Sequence, residues 1–149
     1  MATLAELASA RTRLGDAAID HLQRLTASWS LLADLSFSDM LLMTRVESPS
    51  DDDHLLVIGQ MRPNNRTTLI NDDLLGTTHP AANWPIVGEA YERGVRVEGE
   101  LRVEGVEDLV PTWCVPVRFN GDVIAALVRL QGPLRGSASL YEFQYLSVF

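Results

Sequence analysis

Residues 62–68, Arg62-Pro63-Asn64-Asn65-Arg66-Thr67-Thr68, put two guanidinium groups, two side-chain amides and two hydroxyls in one short stretch behind an apolar run. Arginine forks match the paired oxygens of a carboxylate or phosphate, and the whole set offers enough donors for an anionic or purine-like ligand. Trp84 and Tyr91 follow with aromatic surface, so Arg62, Asn64, Arg66, Trp84 and Tyr91 are the candidate ligand-binding residues. A structural reading competes with this one: both arginines pair with the chain's many carboxylates, and Trp84 belongs to the core.

No other cluster has the spacing of a catalytic centre, so no catalytic or metal-ligating residue is assigned. The chain has no glycine-rich phosphate loop, no Cys-x-x-Cys pair and no His-Glu-x-x-His helix. His21 precedes Leu-Gln-Arg, loosely like the phosphoacceptor helix of a histidine kinase. It lacks the acidic residue that usually follows such a His, so an exposed His on an amphipathic helix is the better reading. Asp51-Asp52-Asp53-His54 has carboxylates for a hard cation but reads as a solvated hairpin tip. Glu98, Glu100, Glu104, Glu107 and Asp108 fit an edge strand and the loop after it better than a carboxylate pair. Cys114 beside Trp113 in a strand reads as a buried, inert thiol.

Elements must position these residues, and the clearest is a hairpin. Asn120-Gly121 between two apolar runs predicts a two-residue turn. Simple alternation then puts Trp113, Val115, Val117, Phe119, Ile124, Ala126 and Val128 on one face. Cys114, Pro116, Val123, Ala125 and Leu127 fall on the other, so both faces are covered, unlike a sheet with one wet side.

Ahead of it, residues 4–35 read as helix broken near Gly15, with Asp16 capping the second segment. Ala18, Leu22, Leu25, Trp29 and Leu32 recur at spacings of three and four. Such a stripe suits a helix laid on its own sheet or a seam shared between two subunits.

Residues 39–46 and 54–62 read as strands, 67–70 as a short strand and 71–80 as loop. A helix capped by Asn83 follows, with Pro85 in its first turn, Trp84, Val87 and Tyr91 on one face, and Gly94 as its left-handed stop. Residues 95–103 alternate like a charged edge strand. Ser139 and Glu142 form a capping box that opens an apolar helix over 139–149, and the absence of a stop signal there predicts that it leads into a further domain. The predicted fold is α+β: a central antiparallel sheet of five or six strands, with the N- and C-terminal helices packed together on one face.

A chain of 149 residues suits one domain, 1–149: N-terminal helices over about 4–35, a sheet core over about 38–131 and the start of a signalling helix at 139–149. Hydrophobic residues at 46% and charged residues at 21% describe a folded globular chain rather than a disordered one. A net charge of -8 argues against direct binding to nucleic acid. A single cysteine rules out an intrachain disulfide and points to a reducing compartment, and no apolar run approaches the roughly 20 residues of a spanning helix. A cytoplasmic location follows, with no membrane partner.

Several blocks together resemble a known family: residues 31–39, Leu-Leu-Ala-Asp-Leu-Ser-Phe-Ser-Asp; Gln60-Met-Arg-Pro-Asn64 with Thr68 and Asp72-Asp73-Leu-Leu-Gly76; Val115-Pro-Val-Arg118; and Gly132-Pro-Leu-Arg-Gly136. In this order, over nearly the whole chain, they look like the N-terminal GAF-type sensor domain of actinobacterial cytosolic sensor histidine kinases of the PdtaS-like kind. The resemblance implies a GAF-like fold, a homodimer, and a PAS domain and kinase region after the sensor. It also implies signalling to a response regulator with an ANTAR RNA-binding output. The sensor domain alone would not be an enzyme. GAF domains in general take cyclic nucleotides, tetrapyrroles or other small molecules, and many take nothing known, so the ligand is open, a cyclic nucleotide or other small anion among the choices. Two function classes compete: a small-molecule sensor, and a structural dimerisation module with a filled pocket. A methionine sulfoxide reductase of the same fold is disfavoured because Cys114 has no second thiol to resolve it.

Overall fold

Asn120 and Gly121 have backbone φ of 53° and 84°. A two-residue hairpin turn needs this left-handed conformation at both central positions, and Asn and Gly adopt it most readily. The turn joins β5 (Val110–Phe119) to β6 (Asp122–Gln131) and pairs Phe119 with Asp122, as predicted. Farther along, the register departs from simple alternation. Arg118 faces Val123 while Val117 faces Ala125, which leaves Ile124 as the extra residue of a β-bulge. One extra residue exchanges the faces of everything beyond it. Val115 therefore meets Leu127, and Trp113 meets Arg129. Ala126 and Val128, expected beside Val115 and Val117, instead lie with Cys114 and Leu130 on the opposite face. Both faces are apolar, as expected.

In this computed structural model, residues 3–27, 38–46, 53–61, 73–103 and 109–131 are described. The predicted strand at 67–70, the helix at 139–149, and Trp29 and Leu32 lie outside them. The chain runs through α1 (Leu4–Arg11), α2 (Asp16–Ala27), β1 (Ser38–Val46), β2 (His54–Met61), β3 (Thr78–Pro80), a short 3₁₀ turn (Ala81–Asn83), α3 (Pro85–Arg93), β4 (Val97–Leu101), β5 and β6. The six strands form one antiparallel sheet in the order β3-β2-β1-β6-β5-β4.

One face of the sheet carries α1 and α2. Thr3 caps α1 by accepting from the Glu6 amide at 3.2 Å. The break between the helices falls where predicted, but Gly15 takes the capping place: its carbonyl accepts from the Ile19 amide at 3.0 Å, and Asp16 lies one residue inside the first turn. There its negative charge still favours the helix N-terminus. Ala18, Leu22 and Leu25 pack with Met40, Leu42, Leu56, Ile58, Val115, Val117 and Leu127. Leu22 and Leu25 are wholly covered within a single chain, so this part of the stripe faces its own sheet rather than a partner.

The opposite face carries α3, whose Ile86, Val87 and Ala90 pack on Leu41, Met43, Leu55, Val57, Cys114, Ala126 and Val128. Pro85 begins the helix, and Gly94, at φ 65°, ends it with its amide on the Ala90 carbonyl. Arg118 donates to the Gly94 carbonyl from the end of β5. The cap differs from expectation. The 3₁₀ turn absorbs Asn83, Trp84 stands at the N-cap without a side-chain cap, and Pro85 needs no partner for an amide it lacks. Residues 78–80, predicted as loop, instead add an edge strand to β2, ending at Pro80. A proline is tolerated on such an edge because one side of the strand has no neighbour to receive an N–H. At the other edge, β4 buries Val97 and Leu101 and exposes Glu98 and Glu100, as the charged alternation predicted.

Candidate functional site

The backbone ladder between β1 and β6 ends at the pair Met43 and Ala126, just before the bulged Ile124. Side chains take over there. The Ile124 carbonyl accepts from the Thr44 hydroxyl at 2.9 Å and from the Tyr91 hydroxyl at 3.1 Å, while the Arg45 amide donates to the Tyr91 oxygen at 3.1 Å. A phenol has one proton to give and lone pairs to receive, so a single group on α3 joins β1 to β6 where the ladder stops. Burial pushes the Tyr91 pKa above its usual 10.0, against the opposing pull of the Thr44 hydrogen bond, the Arg45 amide and the Arg45 charge. Near neutral pH the phenol therefore keeps the proton that the Ile124 bond requires.

A cleft of about 670 Å³ opens at this end of the sheet. Its walls are residues 10–14 at the end of α1, Thr44, Arg45 and Val46 of β1, Asp53 ahead of β2, Tyr91, and Val123 and Ile124 of β6. Three arginines, Arg11, Arg13 and Arg45, stand against the single carboxylate of Asp53 among these described lining residues. The Arg45 guanidinium lies 4.7 Å from the centre of the Tyr91 ring, close enough for a cation–π attraction. Its Nη2 comes no nearer than 4.0 Å to Glu92, and its Nε is buried with no hydrogen-bond partner. The arrangement supplies positive charge beside the apolar surface of Leu14, Val46 and Val123 rather than a nucleophile or an acid–base pair.

Of the residues nominated from sequence, Tyr91 lines the cleft and Trp84 does not. Trp84 lies two turns earlier on α3, packs on the core of that face, and meets His79 edge-on with ring centres 6.0 Å apart. His79 is held by Thr77 at 2.8 Å, and desolvation lowers its pKa below 6.5. Arg62, Asn64 and Arg66 lie outside the described residues. Met43, Val57, Val87, Ala90, Cys114 and Val128 are all fully covered, so among the described residues the space between α3 and the sheet is filled. Cys114 is one of them, its thiol pushed up to about 12 by burial, which agrees with an inert role. His21 is half-buried, not exposed, with its ring 5.5 Å from that of Phe119.

Sequence reasoning did not nominate Arg11, Arg13, Thr44 or Arg45. Arg11 ends a helix, where basic residues are ordinary, Arg13 follows in the connection to α2, and Arg45 reads as the polar end of a strand. The one available signal was an Arg-x-Arg just ahead of the helix break at Gly15.

Comparison with known proteins places this geometry in a family. A profile described as "Histidine kinase PdtaS, GAF domain" matches residues 4–147. The sensor histidine kinase PdtaS of Mycobacterium tuberculosis is 36% identical over 137 residues, which cover 90% of this chain and 26% of that protein. The PdtaS of Mycolicibacterium smegmatis is 33% identical over 148 residues, covering 92% of this chain and 29% of that protein. The chain thus spans between a quarter and a third of the curated relatives it matches. A solved structure described as the sensor region of a sensor histidine kinase superposes with a TM-score of 0.72 at 32% identity, covering 99% of this chain and 51% of that one.

Proposed function

Because the chain belongs to the family of PdtaS histidine kinase GAF domains, we propose that residues 1–149 form one regulatory domain that senses a small molecule and supports dimerisation in a cytoplasmic sensor histidine kinase. The observation that carries this reading is the cleft at the end of the sheet. It touches the α1–α2 connection on one side and, through Tyr91, reaches α3, β1 and β6 on the other. A bound ligand regulates only if its affinity differs between two arrangements of the protein. A site that contacts both helical layers can meet that requirement by favouring one setting of α1 against α2.

In this reading the domain itself transfers no phosphate. It acts on the kinase region of a homodimer, and the kinase signals to a response regulator with an ANTAR RNA-binding output. Direct contact with nucleic acid is disfavoured by the net charge of -8. No helix among the described residues is long and apolar enough to cross a membrane.

A second reading, a structural dimerisation module without a ligand, draws support from the filled space between α3 and the sheet. Ala10→Trp separates the two, because Ala10 is exposed and lines the cleft, so added bulk blocks the site without entering the core. A thermal-shift screen of the chain with nucleotides, second messengers and metals comes first. A true ligand at 100 times its dissociation constant adds about 2.7 kcal/mol, or about 5 to 11 °C in Tm for a domain of this size. Ala10→Trp is expected to abolish that shift and to change autophosphorylation of the full-length kinase. The sensory reading is refuted if no compound raises Tm and the folded Ala10→Trp kinase autophosphorylates like the wild type.

A further inference from the structure

We propose that the cleft takes a small, multiply charged oxyanion, a carboxylate or a phosphate, clamped between Arg11 at the end of α1 and Arg45 on β1, with Arg13 of the α1–α2 connection adding positive charge to the same wall. This names the ligand class for the sensory site above and rests on that reading.

Positive charge collects at this cleft against the overall balance of the chain. The chain has 20 acidic residues and 12 basic ones, and every basic residue is arginine. Yet this cleft has three arginines and one aspartate on its described walls. A local excess of positive charge on a strongly acidic protein costs repulsion when empty and is relieved by a bound anion.

Several arginines elsewhere have partners within the chain. Arg24 pairs with Asp20 at 2.9 Å, Arg93 with Glu89 at 2.7 Å and Arg96 with Glu98 at 3.7 Å, while Arg118 is spent on the Gly94 carbonyl. At the cleft, no carboxylate among the described residues pairs with Arg11, and Arg45 has only the 4.0 Å approach of Glu92. The buried, unsatisfied Nε of Arg45 is a donor that protein interiors seldom leave unmet, so it points to a group supplied from outside.

Few polar groups other than guanidinium remain on the described walls to recognise a ligand. The hydroxyls of Thr12, Thr44 and Tyr91 already serve the backbone. Recognition falls to guanidinium forks, which fit carboxylate and phosphate oxygens alike, beside apolar walls that strengthen each charged contact. The site should therefore demand charge strictly and discriminate weakly between oxyanions. Asp53 is the exception on these walls and should oppose binding.

The test titrates the purified chain at fixed ionic strength with citrate, phenyl phosphate and the neutral benzyl alcohol. Expected is one-to-one binding of at least one anion and none of the alcohol, with citrate and phenyl phosphate distinguishing a carboxylate from a phosphate ligand. Arg11→Gln and Arg45→Gln should each weaken binding about tenfold or more, the scale of a lost charge-assisted bond. Asp53→Asn should tighten it, and Arg24→Gln, whose partner is on α2, should leave it unchanged. No binding of either anion, equal binding of the alcohol, or binding indifferent to Arg11→Gln and Arg45→Gln overturns the proposal. Sequence also places Glu47, Asp51 and Asp52 between β1 and β2, so binding seen only after their neutralisation would assign the arginines to the chain's own carboxylates and equally overturn it. None of these failures touches the sensory reading, which is decided by the thermal-shift screen together with the Ala10→Trp kinase.

Discussion

Tyr91→Phe removes one oxygen, and the hydrogen bonds around it decide how much stability goes with it. The Tyr91 hydroxyl accepts from the Arg45 amide and donates to the Ile124 carbonyl, both at 3.1 Å. In the variant, Ile124 keeps the Thr44 hydroxyl at 2.9 Å, so the Arg45 amide is the group left without its partner. One orphaned, partly buried amide costs about 1 to 2 kcal/mol, which lowers Tm by roughly 2 to 8 °C in a chain of this length. Thr44→Val should cost less, at most about 1 kcal/mol, because Ile124 then keeps Tyr91.

The double variant is the sharper test. Either hydroxyl alone satisfies Ile124, but removing both strands its carbonyl, so the double loss should exceed the sum of the single losses by about 1 kcal/mol. Urea unfolding followed by tryptophan fluorescence measures all four proteins. The wiring described here is wrong if Tyr91→Phe unfolds within a few tenths of a kcal/mol of the wild type, or if the double variant is simply additive. Alkaline titration gives an independent check. The Tyr91 pKa is higher folded than unfolded, so its contribution is fully present below about pH 10 and is lost as pH rises through the folded value. Tyr91→Phe should flatten that decline.

The thiol of Cys114, raised from 9.0 to about 12, should resist thiol reagents at pH 8 in the native protein and react at the rate of unfolding. Its stabilising contribution is present below pH 9 and fades as pH climbs toward about 12, so Cys114→Ala should hold more of its stability in that window; labelling of native protein at the rate of a free thiol would contradict the burial. Leu22, wholly covered within one chain, should cost about 2 to 5 kcal/mol as Leu22→Ala, and Leu22→Glu should unfold the chain rather than release folded monomers. Folded, monomeric Leu22→Glu in sedimentation and circular dichroism would instead return this residue to an intersubunit seam.

Features set by neighbouring residues were legible in the sequence. The Asn120-Gly121 turn, the stop at Gly94, the break near Gly15 and the charged edge at Glu98 and Glu100 each depend on groups a few positions apart, and each stands where local chemistry put it. The misplaced features answer to distant partners. Nothing near Ile124 marks a bulge: it is β-branched, flanked by Val123 and Ala125, and lacks the glycine that often signals one. Its carbonyl is met by Tyr91, 33 positions earlier, and by Thr44, 80 positions earlier. Thr78–Pro80 became a strand because β2 had an open edge, a fact about the sheet rather than the segment.

The same distinction explains the site. Residues 62–68 drew attention because their donors are contiguous, whereas Arg11 and Arg45 come from opposite ends of a long stretch and meet only where α1 and β1 end together. Tyr91 was nominated for its aromatic surface, yet its hydroxyl is what ties together the backbones of Arg45 and Ile124 that line the cleft. That difference bears on how such a domain would signal. A ligand lodged under α3 would press on one layer alone, in a space that Val87, Ala90 and Cys114 already fill. At the end of the sheet, Arg45 faces the cleft, lies against the Tyr91 ring and gives its amide to the Tyr91 oxygen, so a charge bound there pulls on a residue already tied to α3 and, through Ile124, to β6. Packed side chains and hydrogen-bond networks can carry coupling between layers, and under the proposed sensing role the one offered here would run around the end of the sheet rather than through its packed faces.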